Sequence, residues 1–141
     1  MATASSRAAG TDDIAKLLLR VVLGLLILLH GIAKLKGGPG FVVGVVEKAG
    51  LPSAIAYLVY IGEVLAPLLL IIGLYTRLAG LIVAINMLFA FGLVHTGQLF
   101  TLAPTGGWAL ELQGMYLATA VVIALQGAGS LSVGGANGRW N

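Results

Sequence analysis

Arg20, His30, Lys34 and Glu63 are ionisable groups set in stretches made otherwise almost wholly of Leu, Val, Ile, Ala and Gly. An arginine at bilayer depth costs roughly 2.5–3.5 kcal/mol on insertion scales, so such residues face a bundle interior, take a partner and mark function. Two chemistries suit this set. One is an intramembrane ion pair, Arg20 with Glu63, that fixes helix register without catalysis. The other is a proton-exchanging site. Desolvation disfavours the charged form of a carboxylate, and an imidazole changes charge within the physiological range. On that reading Glu63 and His30 are the catalytic candidates, with Glu63 as proton acceptor. Arg20, Lys34, Tyr60, Asn86, His95 and Glu111 are the ligand-binding candidates, and a quinone is the ligand considered.

Spacing says which of these groups share a face. Helix positions i, i+4, i+7, i+11 and i+14 lie on one side, and Arg20, Gly24, Ile27, Gly31 and Lys34 follow that rule. His30 lies at the edge of the stripe. At about 1.5 Å of rise per residue, Arg20 lies roughly 9 Å in from one end of its segment, and Glu63 roughly 15 Å from the opposite end of its own. Their long side chains could therefore meet. An antiparallel bundle would gather His30, His95, Glu111, Lys34 and Trp108 toward the outer face, with Glu63, Asn86 and Tyr60 deeper. Structural roles are also available. Lys34 and Lys36 can snorkel to head groups, Trp108 fits an aromatic belt, and Asn86 can bridge helices. Haem or metal between His30 and His95 is disfavoured, since no attachment motif accompanies them.

The elements that must position these residues are membrane spans. The chain has 141 residues, 59% hydrophobic and 9% charged, with mean hydropathy +1.03; soluble domains carry about 25% charged residues. Spans need about 20 apolar residues. Four segments qualify: Ile14–Ala33, Ser53–Leu74, Leu78–Val94 and Trp108–Gln126. The fold expected is all-α, an integral membrane four-helix antiparallel bundle occupying residues 14–127. Residues 1–13 read as a disordered tail in which Asp12 or Asp13 can cap the first helix. The first apolar run begins too late and runs too long for a cleavable signal peptide. Phe41–Val46 is too short to span and reads as an interfacial or re-entrant element. Residues 128–141 are a Gly-rich tail at the surface.

Five cations (Arg7, Lys16, Arg20, Arg77, Arg139) fall on the side of the termini and three (Lys34, Lys36, Lys48) on the other. By the positive-inside rule this favours cytoplasmic termini in the inner membrane. The absence of cysteine excludes disulfides, cysteine-ligated iron–sulfur or zinc sites and dithiol exchange by this chain. The net charge of +3 is scattered, without the basic patch that nucleic-acid binding requires.

Leu18-Leu19-Arg20, Gly24 and His30-Gly31-Ile32-Ala33-Lys34 resemble the opening signature of the DoxX family of small four-helix membrane proteins. Gly50-Leu51-Pro52, Gly62-Glu63-Val64, Gly73-Leu74-Tyr75-Thr76-Arg77, Met87, Glu111 and Gly127-Ala128-Gly129-Ser130-Leu131-Ser132 continue the likeness in order, over about residues 16–132. The family often has an acidic residue where Ser132 stands, so a role for that acid does not carry over. The resemblance implies a four-helix membrane bundle. Some relatives are linked to quinone-coupled oxidation of sulfur compounds, others to membrane oxidoreductase complexes that handle oxidative and thiol stress.

The function expected is that of a membrane subunit of a quinone-linked oxidoreductase. Its partners would be the bilayer, further subunits of the complex, and a second copy if it is a homo-oligomer. The alternatives are a non-catalytic anchor or assembly factor, and a small proton-coupled transporter. Small multidrug carriers keep their glutamate on the first helix, whereas here it lies on the second.

Overall fold

A computed structural model of the chain describes residues 9–141. The first eight residues of the expected N-terminal tail, with Arg7, lie outside the described residues. Helix α1 runs Thr11–Gly37 and α2 runs Gly40–Lys48. A continuous segment of mixed geometry follows. It comprises a 3₁₀ turn Ser53–Leu58, a π turn Ile61–Leu65 and α3, Ala66–Ile72. Helices α4, Thr76–Leu93, and α5, Glu111–Gln126, complete the core. The described residues are all-α, with one isolated bridge between Leu102 and Trp108.

Outward-facing apolar side chains assign the solvent as lipid. On α1, Ile14, Leu18, Leu25 and Leu29 are exposed, while Arg20, Leu23, Gly24, Ile27 and Gly31 are buried. Apolar side chains turned outward along a helix of this length suit a membrane span. Three helices are long and apolar enough to cross one: Thr11–Gly37, Ser53–Ile72 and Thr76–Leu93. The fourth expected span is shorter than its sequence suggests. Residues 108–110 do not join α5. The Trp108 indole Nε1 instead donates to Leu99 O at 2.9 Å, and its ring lies over Gly114, where a Cβ would come within 2.6 Å of it. The 16 residues of α5 reach about 24 Å, against roughly 30 Å of hydrocarbon.

Helix α1 packs on α3, α3 on α4, α4 on α5, and α5 returns to α1. Leu23, Ile27, Leu70, Val83 and Ile123 share the centre with Ala66, Ala79, Ala84 and Ala120. Small residues let backbones approach where lipid supplies no hydrophobic drive between helices. At Gly80 a Cβ would come within 2.9 Å of Ala120 O. The turn from α3 to α4 uses Gly73 at φ 74, whose N–H bonds Leu69 O at 2.9 Å.

Residues 127–141 lie across this end of the molecule, exposed over much of their length, and are hydrogen-bonded to it. Val133 N bonds Ile72 O at 3.1 Å and Gly134 N bonds Gly73 O at 2.9 Å. Asn141 Oδ1 accepts from Thr76 Oγ1 at 2.8 Å and Thr76 N at 3.1 Å. Neither expected acid caps α1. Asp13 accepts from Ser130 N at 2.9 Å and Ser130 Oγ at 2.7 Å, and Asp12 pairs with Lys16 at 3.1 Å. The Phe41–Val46 stretch is the body of α2, with Val46 buried and Phe41 69% exposed.

Candidate functional site

Glu63 is carried by the π turn, and Pro67 explains why that turn forms. Proline has no N–H, and its ring crowds the carbonyl four residues earlier, here that of Glu63. The Ala66 N–H bonds Ile61 O, five residues back, which adds one residue to the turn. Such π bulges recur at functional sites. Two glycines clamp the bulge. At Gly31 of α1 a Cβ would lie 2.1 Å from Glu63 O, and at Gly62 it would lie 2.6 Å from the Asn86 side chain of α4. Glu63 is consequently only 8% exposed.

Its carboxylate is shared between α1 and α4. Lys34 Nζ donates to Oε2 at 2.5 Å, and Asn86 Nδ2 donates to Oε1 at a longer 3.4 Å. The Tyr60 hydroxyl donates to Lys34 O at 3.2 Å, tying the end of α1 to the start of the π turn. This cluster forms one wall of a cavity of about 410 Å³. Its other walls are α2, residues 55–59, the second half of α4 and the first half of α5. His30, His95, Gln113 and Tyr116 add polar atoms to a lining that is otherwise mainly aliphatic. The His30 ring meets Tyr116 edge-on at 6.4 Å. His95 Nδ1 lies 2.8 Å from Gln98 Oε1.

The expected pairing of Arg20 with Glu63 does not form. Arg20 faces the opposite end of the molecule, where Nη1 donates to Leu70 O and Ile71 O at 2.9 Å each and Nη2 donates to Leu131 O. It is 1% exposed. Fourteen residues separate it from Lys34, about 21 Å of helix, so it takes no part in the cavity. Glu63 has turned to the cation at the far end of the same stripe. Of the remaining candidates, His30, Lys34, Asn86 and His95 line the cavity with Glu63. Tyr60 supports it from behind. Glu111 is exposed at the start of α5, lies beside Gly107 and is not in the lining.

Sequence reasoning missed Gln113, Tyr116 and the α2 residues. Gln113 and Tyr116 stand three apart on α5, one helical face, and their polarity within an apolar run was the available signal. The α2 residues carried none, since valines do not announce a cavity wall. The assembled site is a mainly aliphatic cavity with hydrogen-bond donors on Lys34 and Asn86, an acceptor on Glu63 and the His30 ring among its lining.

The DoxX family model matches residues 15–96, more than half of the chain. A Bacillus subtilis (strain 168) protein named "Putative oxidoreductase CatD" is 33% identical over 121 residues, covering 86% of this chain and 85% of that one. An uncharacterized protein of Haemophilus influenzae is 31% identical over 118 residues, covering 82% and 84% respectively. No solved structure matches. The family match and the kinship with the Bacillus protein over most of both chains agree: the chain belongs to the DoxX family.

Proposed function

We propose that this protein is a membrane subunit of a quinone-linked oxidoreductase system, and that the cavity beside Glu63 receives the quinone head group. The observation that carries the reading is an aliphatic cavity with donors and an acceptor gathered at one wall. A quinone ring is apolar on its faces and accepts hydrogen bonds at its carbonyl oxygens, which is the complement of that wall. The volume, about 410 Å³, falls in the usual range for small-molecule sites, about 300–1,000 Å³. His30 and Asn86 would hold the carbonyl oxygens. Glu63 would accept or release a proton at Oε1, since Oε2 is taken by the Lys34 ammonium that balances its charge. When bound, the quinone supplies electron-accepting capacity. The chain lacks cysteine, and we assign the electron source to a partner subunit or bound substrate. The oxidoreductase name of the Bacillus relative supports the reaction class.

In this reading α5 is a fourth crossing that completes an antiparallel bundle in the inner membrane, with both termini cytoplasmic. Its packing on α4 and α1 supports that arrangement.

The test is binding of a tailless benzoquinone to purified protein, followed by quenching of tyrosine and tryptophan fluorescence. Saturable binding is expected, weakened about tenfold or more by Glu63→Ala or His30→Ala. Absence of saturable binding to wild type would overturn the reading. Stable partners in a native pull-down that survive Glu63→Gln would then favour a membrane anchor or assembly factor.

A further inference from the structure

The cavity beside Glu63 has polar atoms on two walls. Helices α1 and α4 each pack against both the π turn and α5, so the π turn and α5 are diagonal to one another in the ring of helices. Both line the cavity. Glu63 stands on the π turn. On the diagonal helix, Gln113 and Tyr116 line the same space, three residues apart on one face, and both are half-buried. Helix α1 serves both sides. Lys34 meets Glu63, and His30, about one turn earlier, meets Tyr116 edge-on.

Hydrogen-bond donors are spare on each wall. Lys34 carries three N–H groups and Asn86 two, and each commits one to Glu63. Among the described residues, the Gln113 amide, the Tyr116 hydroxyl and the His30 ring have no hydrogen-bond partner, and their polar atoms stay accessible. The rest of the lining is mainly aliphatic, Ile27, Ile82 and Ile85 among it.

We propose that Gln113, Tyr116 and His30 form a second hydrogen-bonding pole, and that the site selects a ring with acceptor oxygens at two opposite ends, a 1,4-dicarbonyl. Gln113 and Tyr116 are then specificity-determining residues. The inference rests on the head-group reading above. Lys34 and Asn86 meet one oxygen, and His30 with Tyr116 and Gln113 meets the other. A single-headed amphiphile satisfies one pole and leaves the donors of the other facing aliphatic side chains. A site built to hydrogen-bond a substrate group discriminates against the analogue that lacks it, because its own polar groups are left unpaired.

The test compares tetramethylbenzoquinone with trimethylcyclohexenone, a methylated ring with one carbonyl, each titrated calorimetrically on purified protein. Wild type should prefer the dione by about tenfold or more. In Tyr116→Phe/Gln113→Leu the preference should fall to about twofold, through loss of affinity for the dione, with Tyr116→Phe alone lying between. Both compounds are titrated on the same sample, so a general loss of folded protein does not move the ratio. Equal affinity of wild type for the two compounds, or an unchanged preference in the double variant, would overturn the second pole. Dione binding that Glu63→Ala still weakened would then leave the Glu63 wall standing. Failure of wild type to bind the dione would remove both readings together.

Discussion

Lys34 and Glu63 are joined by a short ion pair at a cavity wall, with side chains 26% and 11% exposed. Removing one partner of such a pair leaves the other charge without compensation, at about 3–5 kcal/mol when burial is complete. Partial exposure of Lys34 reduces that, so Glu63→Leu alone should destabilise by about 2 kcal/mol, read as a drop in melting temperature in detergent. The double change Lys34→Met/Glu63→Leu should restore most of the melting temperature, since apolar replacement of a whole buried pair is often neutral. Quinone binding should stay lost in the double variant. If binding returned with stability, the pair would be structural only. Arg20 makes the opposite prediction. Its planar fork serves three backbone carbonyls, a geometry that lysine does not reproduce. Arg20→Lys should lower stability by about 2 kcal/mol, with tailless-quinone affinity unchanged in the protein that folds. The sequence made Arg20, Gly24, Ile27, Gly31 and Lys34 legible as a buried-side stripe, because helical period survives any partner. It did not reveal which charge meets Glu63. Arg20's partners are carbonyls, which every residue has, so no residue type marks them.

At the scale of elements, the π turn decides where Glu63 points. Pro67 imposes it, Gly31 of α1 and Gly62 within the turn leave room for it, and one inserted residue rotates everything before it relative to α3. A regular helix from Ser53 onward, which apolar composition alone predicts, would aim Glu63 elsewhere. Pro67→Ala permits the regular helix and should reduce quinone affinity about tenfold, with the helix content by circular dichroism unchanged or slightly higher. Gly31→Ala should be more damaging to the fold. Its Cβ would meet a backbone oxygen at 2.1 Å, and forced overpacking costs about 1–3 kcal/mol or more. The same change at Gly37, where a Cβ meets nothing within 4 Å, should be neutral or stabilising by up to about 1 kcal/mol. Equal melting temperatures for Gly31→Ala and Gly37→Ala would contradict the close crossing of α1 with the π turn.

At the scale of the whole molecule, polar groups separate to opposite ends. The cavity with Lys34, Glu63 and the histidines occupies one end. Arg20, Thr76 and the returning segment 127–141 occupy the other, where Arg77 Nη1 also donates to Ala124 O at 3.2 Å. Reporter fusions at the two termini should both read as cytoplasmic, and a tag in the 99–106 loop as external. Opposite signals from the two termini would show that α5 does not cross. The all-α class was legible in composition, and of the four spans expected from length and hydropathy three are helices long and apolar enough to cross a membrane. The true start of α5 was not legible, because Trp108 looks like a helix residue until its indole is seen bonded to Leu99. The folded segment 127–141 was also hidden, since its glycines read as a loose tail when the backbone carbonyls they approach are unknown.

The hydrogen bond from Arg20 to Leu131 joins positions 111 residues apart. At synthesis rates of about 5–20 residues per second, the ribosome adds that partner roughly 5–20 s after it adds Arg20. Until then the guanidinium lacks that acceptor, and the α3 carbonyls of Leu70 and Ile71 also arrive after α1 is made. The polar contacts of the first helix are thus completed only when the last stretch of sequence closes over it. A chain halted before Leu131 lacks the acceptor of Nη2, so the end of the sequence completes the seat of a cation placed near its beginning.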